Sequence, residues 1–309
     1  MRFRFITFLF IISFFGANAQ RSRLTSNTTL SGSLGSSTYY GDMSPYSLPI
    51  RGILKSTSFN GAITLTKEFN EKWAQNLDLR FTQLKGGDFK YNTNLLGYQK
   101  LLPIYLERNL HFRNNIFQLS YTLKYYIIEN NATINRRRGN FLPYFIFGVG
   151  VATNNPKAMA PSADGSGDWK ALRPLHTSGS NVSYSPVFLN VPFGVGFNKK
   201  INRRWDFKAQ AMLNVPFNDY LDDVSGTLFL NKEEFKNPDA YIFHNRSKEA
   251  TDALTGRNRN EVLLNNGIEI SSIDLSGKLR GSSSTPLTYY DIFLTTEIGL
   301  TYWLDWKIR

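Results

Sequence analysis

Cysteine is absent from this chain, so it can have neither a disulfide framework nor a thiolate metal site. Histidine is scarce: His111, His176 and His244 are the only three. Beyond the first residues no apolar run approaches the length of about 20 that a helix needs to cross a bilayer, which excludes a helical membrane protein. Acids are in deficit as well, because 24 Asp and Glu stand against 36 Lys and Arg, a formal charge of +12. No GxSxG elbow accompanies the few histidines, and a serine hydrolase needs a histidine beside both a nucleophile and an acid. No EF-hand spacing occurs around Asp219, Asp222 and Asp223, whose expected role is to structure a loop rather than hold a cation. No catalytic residue, cofactor or metal is therefore expected.

What is present begins with an export signal. Arg2 and Arg4 precede an almost unbroken apolar run at 5–15, and Ala17-Asn18-Ala19 supplies the small-x-small pattern of a cleavage site. Residues 1–19 are expected to be removed, leaving one domain over 20–309. The leader holds two arginines and no acid, so +12 less 2 leaves +10 on the mature chain.

Aromatic residues make up 15% of the chain, yet the mean hydropathy is only −0.31. A barrel in a membrane gives this combination, since only one face of each strand meets lipid and the other faces a polar lumen. Apolar alternation with a period of two is the dominant pattern. In 73–84, Leu77, Leu79 and Phe81 alternate with Asn76, Asp78, Arg80 and Thr82. The same pattern recurs in 187–198, in 204–215 and in 288–302. Weaker segments lie at 27–38, 59–68, 112–126 and 141–152, the last apolar on both faces. The clean segments exceed the usual five or six residues of a soluble strand and suit the about 9–11 that a tilted spanning strand requires. Pro143 and Pro192 fall inside predicted strands and are expected near a strand start or a bulge.

The fold class predicted is all-β: a transmembrane, antiparallel, up-and-down barrel of about eight strands with long extracellular loops. Short connections near 70–72 and 199–203, and a modest one at 127–140, alternate with long ones at 39–58, 85–111, 153–186 and 216–287. Outer-membrane barrels have short periplasmic turns and long outer loops, which puts both termini in the periplasm. The long insertion 216–287 is read as a folded cap. Its Ile268-Glu269-Ile270 and Ile273-Asp274-Leu275 allow an extra hairpin and ten strands, and 232–253 allows a short helix.

Charge placement suggests where partners dock. Arg136, Arg137, Arg138, Lys199, Lys200, Arg203 and Arg204 fall at the expected periplasmic rim, as do Arg21, Arg23, Lys307 and Arg309. Clustered cations favour anionic surfaces, so outer-membrane lipid and an acidic periplasmic protein are the expected partners. Nucleic acid is not expected, since no aromatic stacking platform interleaves the basic runs. Eight strands are too few for an open channel, and Asp78, Arg80, Lys124, Asp206, Lys208 and Glu297 are placed to pair into a polar plug.

Several motifs, in order along nearly the whole mature chain, resemble the PorG-like family of Bacteroidetes outer-membrane proteins. They are Ser37-Thr38-Tyr39-Tyr40-Gly41-Asp42, Arg108-Asn109-Leu110-His111-Phe112-Arg113-Asn114, Pro143-Tyr144 through Gly148-Val149-Gly150, and Trp169 with Leu172-Arg173-Pro174-Leu175-His176-Thr177. Val191-Pro192-Phe193-Gly194, Asp219-Tyr220-Leu221-Asp222-Asp223-Val224-Ser225 and Arg280-Gly281 complete the set. The resemblance implies a non-enzymatic barrel that anchors or assists a type IX secretion and gliding apparatus or a related envelope complex. It supplies no catalytic residues, and the motif residues in the loops are expected to be structural. A surface-binding barrel acting through its long loops, and a lipid-modifying barrel enzyme, remain as alternative classes.

Overall fold

The computed structural model describes residues 28–43, 57–88, 103–130, 139–162, 164–179, 183–225, 227–281 and 291–304. The leader, the three arginines at 136–138 and the basic residues at both ends of the mature chain lie outside them.

Among the described residues are ten antiparallel strands: β1 (Thr28–Tyr40), β2 (Ser58–Glu68), β3 (Trp73–Gly87), β4 (His111–Tyr126), β5 (Phe141–Thr153), β6 (Lys157–Met159), β7 (Trp169–Ala171), β8 (Val187–Lys200), β9 (Trp205–Pro216) and β10 (Ile292–Leu304). Eight of them pair in the order β3-β2-β1-β10-β9-β8-β5-β4, and β3 pairs with β4 to close the ring. This is an up-and-down barrel in which each long strand pairs with its neighbours in sequence and the last with the first. Closure leaves no unpaired edge, the condition for a sheet to sit in hydrocarbon.

The two extra strands are not those the sequence allowed. Residues 268–275 do not form a hairpin; Ile270–Ser272 is a single 3-10 turn. Ile273 and Leu275 instead face a buried core, with Ile268 and Ile270 packed against it. The additional pair is β6 and β7, a short hairpin that continues the outer end of β4 through Arg113 opposite Lys157.

Alternation decides which face meets which environment. Leu79, Phe117, Ile63, Leu189, Val195 and Ile298 project outward and are more than half exposed, while Asp78, Arg80, Gln118, Lys208 and Glu297 point inward and are buried. Such an apolar exterior around a polar interior inverts a soluble fold and is what a lipid environment demands. Aromatic side chains gather where the wall meets the turns: Trp73 lies 4.9 Å from Tyr125, Trp205 4.9 Å from Tyr302, and Phe141 5.1 Å from Phe197. Rings at that height form an interfacial girdle.

Two hairpins use one local device. In Phe69-Asn70-Glu71-Lys72-Trp73 the Asn70 side chain accepts from the amides of Lys72 and Trp73, each at 2.9 Å. In Ile201-Asn202-Arg203-Arg204-Trp205 the Asn202 side chain accepts from Arg204 at 2.9 Å and Trp205 at 3.0 Å. An asparagine side chain that bonds the backbone two residues on fixes a tight turn, and here each turn delivers a tryptophan to the interface.

Pro143 is the third residue of β5, near its start as expected, but Pro192 lies at neither a strand start nor a bulge. The β5–β8 ladder runs in one register from Phe141↔Lys199 to Thr153↔Val187 and simply lacks the pairs at Pro192 and Val191. The missing amide is accommodated by a gap. The doubly apolar β5 also has an explanation: Leu142, Tyr144 and Ile146 face inward and pack with Ala74, Tyr126 and Met212 as an apolar floor in the turn end of the lumen.

Above that floor the interior is polar and ion-paired. Glu297 on β10 accepts from Arg80 of β3 at 2.5 Å and Lys208 of β9 at 3.1 Å. Asn60 of β2 and Gln210 of β9 donate to the same carboxylate at 3.3 and 3.1 Å. Asp78 accepts from Thr64 at 2.6 Å and Thr122 at 3.0 Å, and Asp206 from the Trp303 indole at 2.6 Å. Lys124 lies 4.4 Å from the Tyr144 ring centre. All six charged residues expected in the lumen face it. Replacing Glu297 by Leu strands two buried cations. The expected loss is about 3–5 kcal/mol, read as a lower denaturant midpoint for the change in gel mobility of the folded barrel.

Candidate functional site

The two ends of the barrel are unlike. At the turn end, Lys199 and Lys200 close β8 and Arg203 and Arg204 occupy the turn to β9, with Lys199, Arg203 and Arg204 exposed. This end also carries acids, and Lys72 pairs with Glu129 at 3.5 Å.

At the other end the connections fold into a cap. It holds α1 (Pro103–Arg108), the β6–β7 hairpin, α2 (Pro238–His244) and α3 (Arg259–Asn265). Asn237 and Asn258 cap α2 and α3 by accepting from Asp239 and Glu261. The inward faces of the outer strand ends are apolar here. Leu84, Phe112, Ile116, Phe188 and Phe293 form one buried core with Leu221, Val224, Phe229, Leu263 and Leu275 of the cap. The cap therefore closes the mouth as the lid of the barrel's own core.

Buried ions fasten this lid, and most sequence-singled residues meet there. Arg108 grips Asp88 with two bonds, Nε to Oδ2 at 2.9 Å and Nη2 to Oδ1 at 2.7 Å. Its Nη2 also donates to the Asp42 carbonyl at 2.8 Å, and its Nη1 to the Arg280 carbonyl. Arg280 in turn donates to the Asp223 carbonyl at 2.8 Å, to the Asp223 carboxylate at 3.4 Å and to the His244 carbonyl at 3.3 Å. Thr177 donates to the same Asp223 carboxylate, and Tyr184 does so at 2.9 Å. Arg259, fully buried, donates to the carbonyls of Leu106 and Glu107 at the end of α1 and to those of Ser247 and Glu249. Burial lowers its guanidinium to about 10.

Asp222 and Asp223 do not converge on one point. Asp223 has a φ of 72°, which turns the chain between them. Asp222 instead accepts from Tyr39 at 2.6 Å and from the Val224 amide at 2.8 Å. The same Tyr39 hydroxyl lies 2.5 Å from Asp291, which also accepts from the Leu221 amide at 2.9 Å. One phenol has one proton to give, so a second proton must reside on the carboxyl pair for both contacts to bond. The electrostatics agree: burial, and then neighbouring carboxylates including Asp42, raise Asp222 and Asp291 well above the usual range. Burial and Asp42 push Asp219 up to about 7. Gly41 is required here, because a Cβ on it would sit 2.1 Å from both the Tyr39 hydroxyl and Asp291.

The remaining motif residues are structural neighbours of this lock. Tyr40 ends β1. Asn109, at φ 57°, donates to Glu249 at 3.3 Å. The His111 Nε2 accepts from the Met159 amide at 2.9 Å, and Arg113 lies 4.0 Å from the Trp169 ring centre, so both hold the β6–β7 hairpin on β4. Tyr220 stacks on Tyr184 at 4.8 Å. Sequence reasoning missed Asp88, Arg259 and the pair of Arg246 with Glu249, whose nearest atoms are 2.9 Å apart. The one available signal was an acid directly after Gly86-Gly87 at a strand end.

Among the described residues, no catalytic arrangement assembles around the histidines. His244 uses Nδ1 on the Thr177 carbonyl at 2.6 Å and Nε2 on the Leu230 amide at 2.8 Å. Burial, and then the Arg280 charge, push it down to about 3, so it is a neutral structural imidazole. His176 lies 3.4 Å from Ser183, whose hydroxyl donates to the Arg173 carbonyl. Among the described residues no group of three His, Asp or Glu side chains is arranged to hold a metal ion.

No protein-family model matches the chain, and no curated protein matches it. Among solved structures it is similar to Neisserial surface protein A (6% identity, 90% of this chain and 97% of that one, TM-score 0.38). It is also similar to the attachment invasion locus protein Ail of Yersinia pestis (10%, 89% and 98%, TM-score 0.34). A third is the outer membrane protein OprG of Pseudomonas aeruginosa (12%, 90% and 96%, TM-score 0.35).

Two predictions follow from the lock. Arg108→Ala leaves Asp88 buried without its cation, at a cost of about 3 kcal/mol or more. Limited proteolysis should then cut within 217–281 while the barrel still migrates as a folded species. The second concerns pH. Asp219, Asp222 and Asp291 have folded values above the unfolded value of about 3.9, so the folded cap holds more protons and its stability falls as pH rises through those values. For Asp219 the loss runs up to about 7, and for the pair it continues higher. His244 opposes this only between about 3 and its unfolded value of about 6.5. Cap proteolysis should therefore quicken as pH rises above about 6.5, where His244 no longer opposes the loss, and Asp222→Asn should flatten that slope.

Proposed function

We propose that this chain is a bacterial outer-membrane barrel, released from its leader near Ala19, that acts as a non-enzymatic anchor or accessory subunit of an envelope complex. The family resemblance points to the type IX secretion and gliding apparatus. The observation that carries this reading is the filled lumen: its charged residues are buried, and Arg80 and Lys208 are spent on Glu297. A barrel so plugged offers its two ends as surfaces rather than a path. The short turns, with both barrel termini, belong to the periplasmic end, since outer-membrane barrels keep long loops outside. There Lys199, Lys200, Arg203 and Arg204, with Arg136, Arg137 and Arg138 by sequence, suit an acidic periplasmic protein or lipid headgroups.

The ordered cap favours a second reading, a surface-binding barrel, because a rigid outer surface costs a ligand little ordering entropy. Gene deletion separates the two. The anchor reading expects a heat-modifiable outer-membrane band in the parent strain and loss of secreted cargo and gliding in the mutant. Complementation should then fail with Arg136, Arg137 and Arg138 replaced by Gln but succeed with an altered cap surface. Normal secretion in the deletion strain rejects the anchor role and moves the function to the cap.

A further inference from the structure

A row of cations crosses three strands on the outer side of the wall. Lys85 of β3 stands opposite Arg113 of β4, and Arg113 stands opposite Lys157 of β6. All three continue the outward-facing positions of their strands and are partly exposed. Like charges set directly opposite one another destabilise a sheet unless something of opposite sign lies between them. Among the described residues, no ion pair joins any of the three to an acid. Arg113 sits over the Trp169 ring instead, 4.0 Å from its centre, which fixes its position and leaves its charge. The following segment, 88–102, has Lys90 and Lys100 and a single acid, Asp88, already bound to Arg108.

The height of this row identifies its surroundings. Phe59, Phe81 and Phe117 form an aromatic run on the wall, with neighbouring centres 6.1 and 5.1 Å apart. Two residues farther out Gln83 donates to Asn115 at 3.0 Å, and two farther again come Lys85 and Arg113. Four residues of strand span about 13 Å, or roughly 10 Å along the membrane normal once the strand tilt of about 40° is allowed for. The order from the hydrocarbon is thus aromatic, amide, cation, which follows a lipid from its chains through its backbone to its phosphate. The row is local, since the outward positions at the same end of β8, β9 and β10 are Val187, Val215 and Ile292.

We propose that Lys85, Arg113 and Lys157 form a binding site for the phosphate of an outer-leaflet lipid headgroup, with Gln83 and Asn115 contacting the part of the lipid beneath it. The inference rests on the outer-membrane reading with the cap outside. The full-length mature protein in non-ionic detergent is titrated with bis-phosphorylated lipid A, with the same lipid stripped of phosphate, and with inorganic phosphate. Binding is read by native mass spectrometry. The phosphorylated lipid should bind tightly and the stripped lipid weakly, while inorganic phosphate at matched concentration should not compete. Lys85→Gln, Arg113→Gln and Lys157→Gln together should weaken binding on the order of 100-fold. Lys232→Gln, Lys236→Gln and Arg257→Gln, which remove the same charge from the cap surface, should leave it unchanged. Lys157→Gln alone, in the short β6–β7 hairpin beyond the barrel wall, should cost about fivefold if the triple variant does not fold. Equal binding of stripped lipid, equal loss in the cap variant or competition by inorganic phosphate overturns the proposal. A wild-type chain without a heat-modifiable band removes the membrane reading and this inference with it. A heat-modifiable band without phosphate preference removes this inference alone.

Discussion

The structure depends on keeping a carboxylate charged in the middle of a narrow barrel. Glu297 draws Arg80 from β3, Lys208 and Gln210 from β9 and Asn60 from β2 onto one pair of oxygens. These strands lie on both sides of β10, so the contact ties together a large part of the ring across its interior. A barrel in lipid gains little from burying its outer face, because the surrounding chains are as apolar as its own side chains. Its cohesion must come from backbone pairing and from the interior. Here the interior is mostly charge and amide, bounded by an apolar floor around Tyr126 and Tyr144.

The same logic explains the cap. Where the lumen ends, the inward residues change from Arg80, Gln118 and Glu297 to Leu84, Phe112, Ile116 and Phe293, an apolar mouth that water would otherwise wet. The cap covers it with Leu221, Val224, Phe229 and Leu263, and then satisfies the backbone carbonyls at its edges with buried arginines. Arg108, Arg259 and Arg280 together donate to eight carbonyls. A guanidinium suits this work because its five donors sit in a fixed plane. The pairing is also directional: Arg108 reaches the Arg280 carbonyl while Arg280 reaches Asp223, so the lock is a chain of contacts from α1 to the start of the β9–β10 connection.

Legibility in the sequence followed the range of the interactions. The eight wall strands were legible because lipid on one side and a polar lumen on the other impose a period of two over more than ten residues. The six lumen charges, from Asp78 to Glu297, followed from the same parity. β6 and β7 were not legible, since three residues are too few to display a period. At 268–275 alternation misled: Ile273 and Leu275 alternate with a polar residue, but their apolar partner is the cap core and not a wall. The lock was legible only in part. Asp222, Asp223, Arg108 and Arg280 stood out in motifs, yet no local pattern joins Tyr39 to Asp291 across 252 positions or Arg259 to Leu106 across 153. Such contacts exist only once the ring has closed.

Closure also sets an order on the parts. The two Asn-Trp hairpins at the turn end are complete within five residues each and need nothing from elsewhere. The lock needs the outer ends of β1, β3, β4 and β10 brought together before Asp88, Arg108, Asp222 and Asp291 can meet. Loop closure carries an entropic cost that local pairing does not, so the turn end supplies the register and the mouth inherits it. A slip of one residue in any strand would exchange its lipid and lumen faces. It would also take Tyr39 or Asp291 out of reach of Asp222. The acid excess at the mouth therefore has a structural consequence: with more carboxylates than cations, the cluster is satisfied only when a proton is shared at Tyr39, and only the correct register brings the three oxygens close enough to share it.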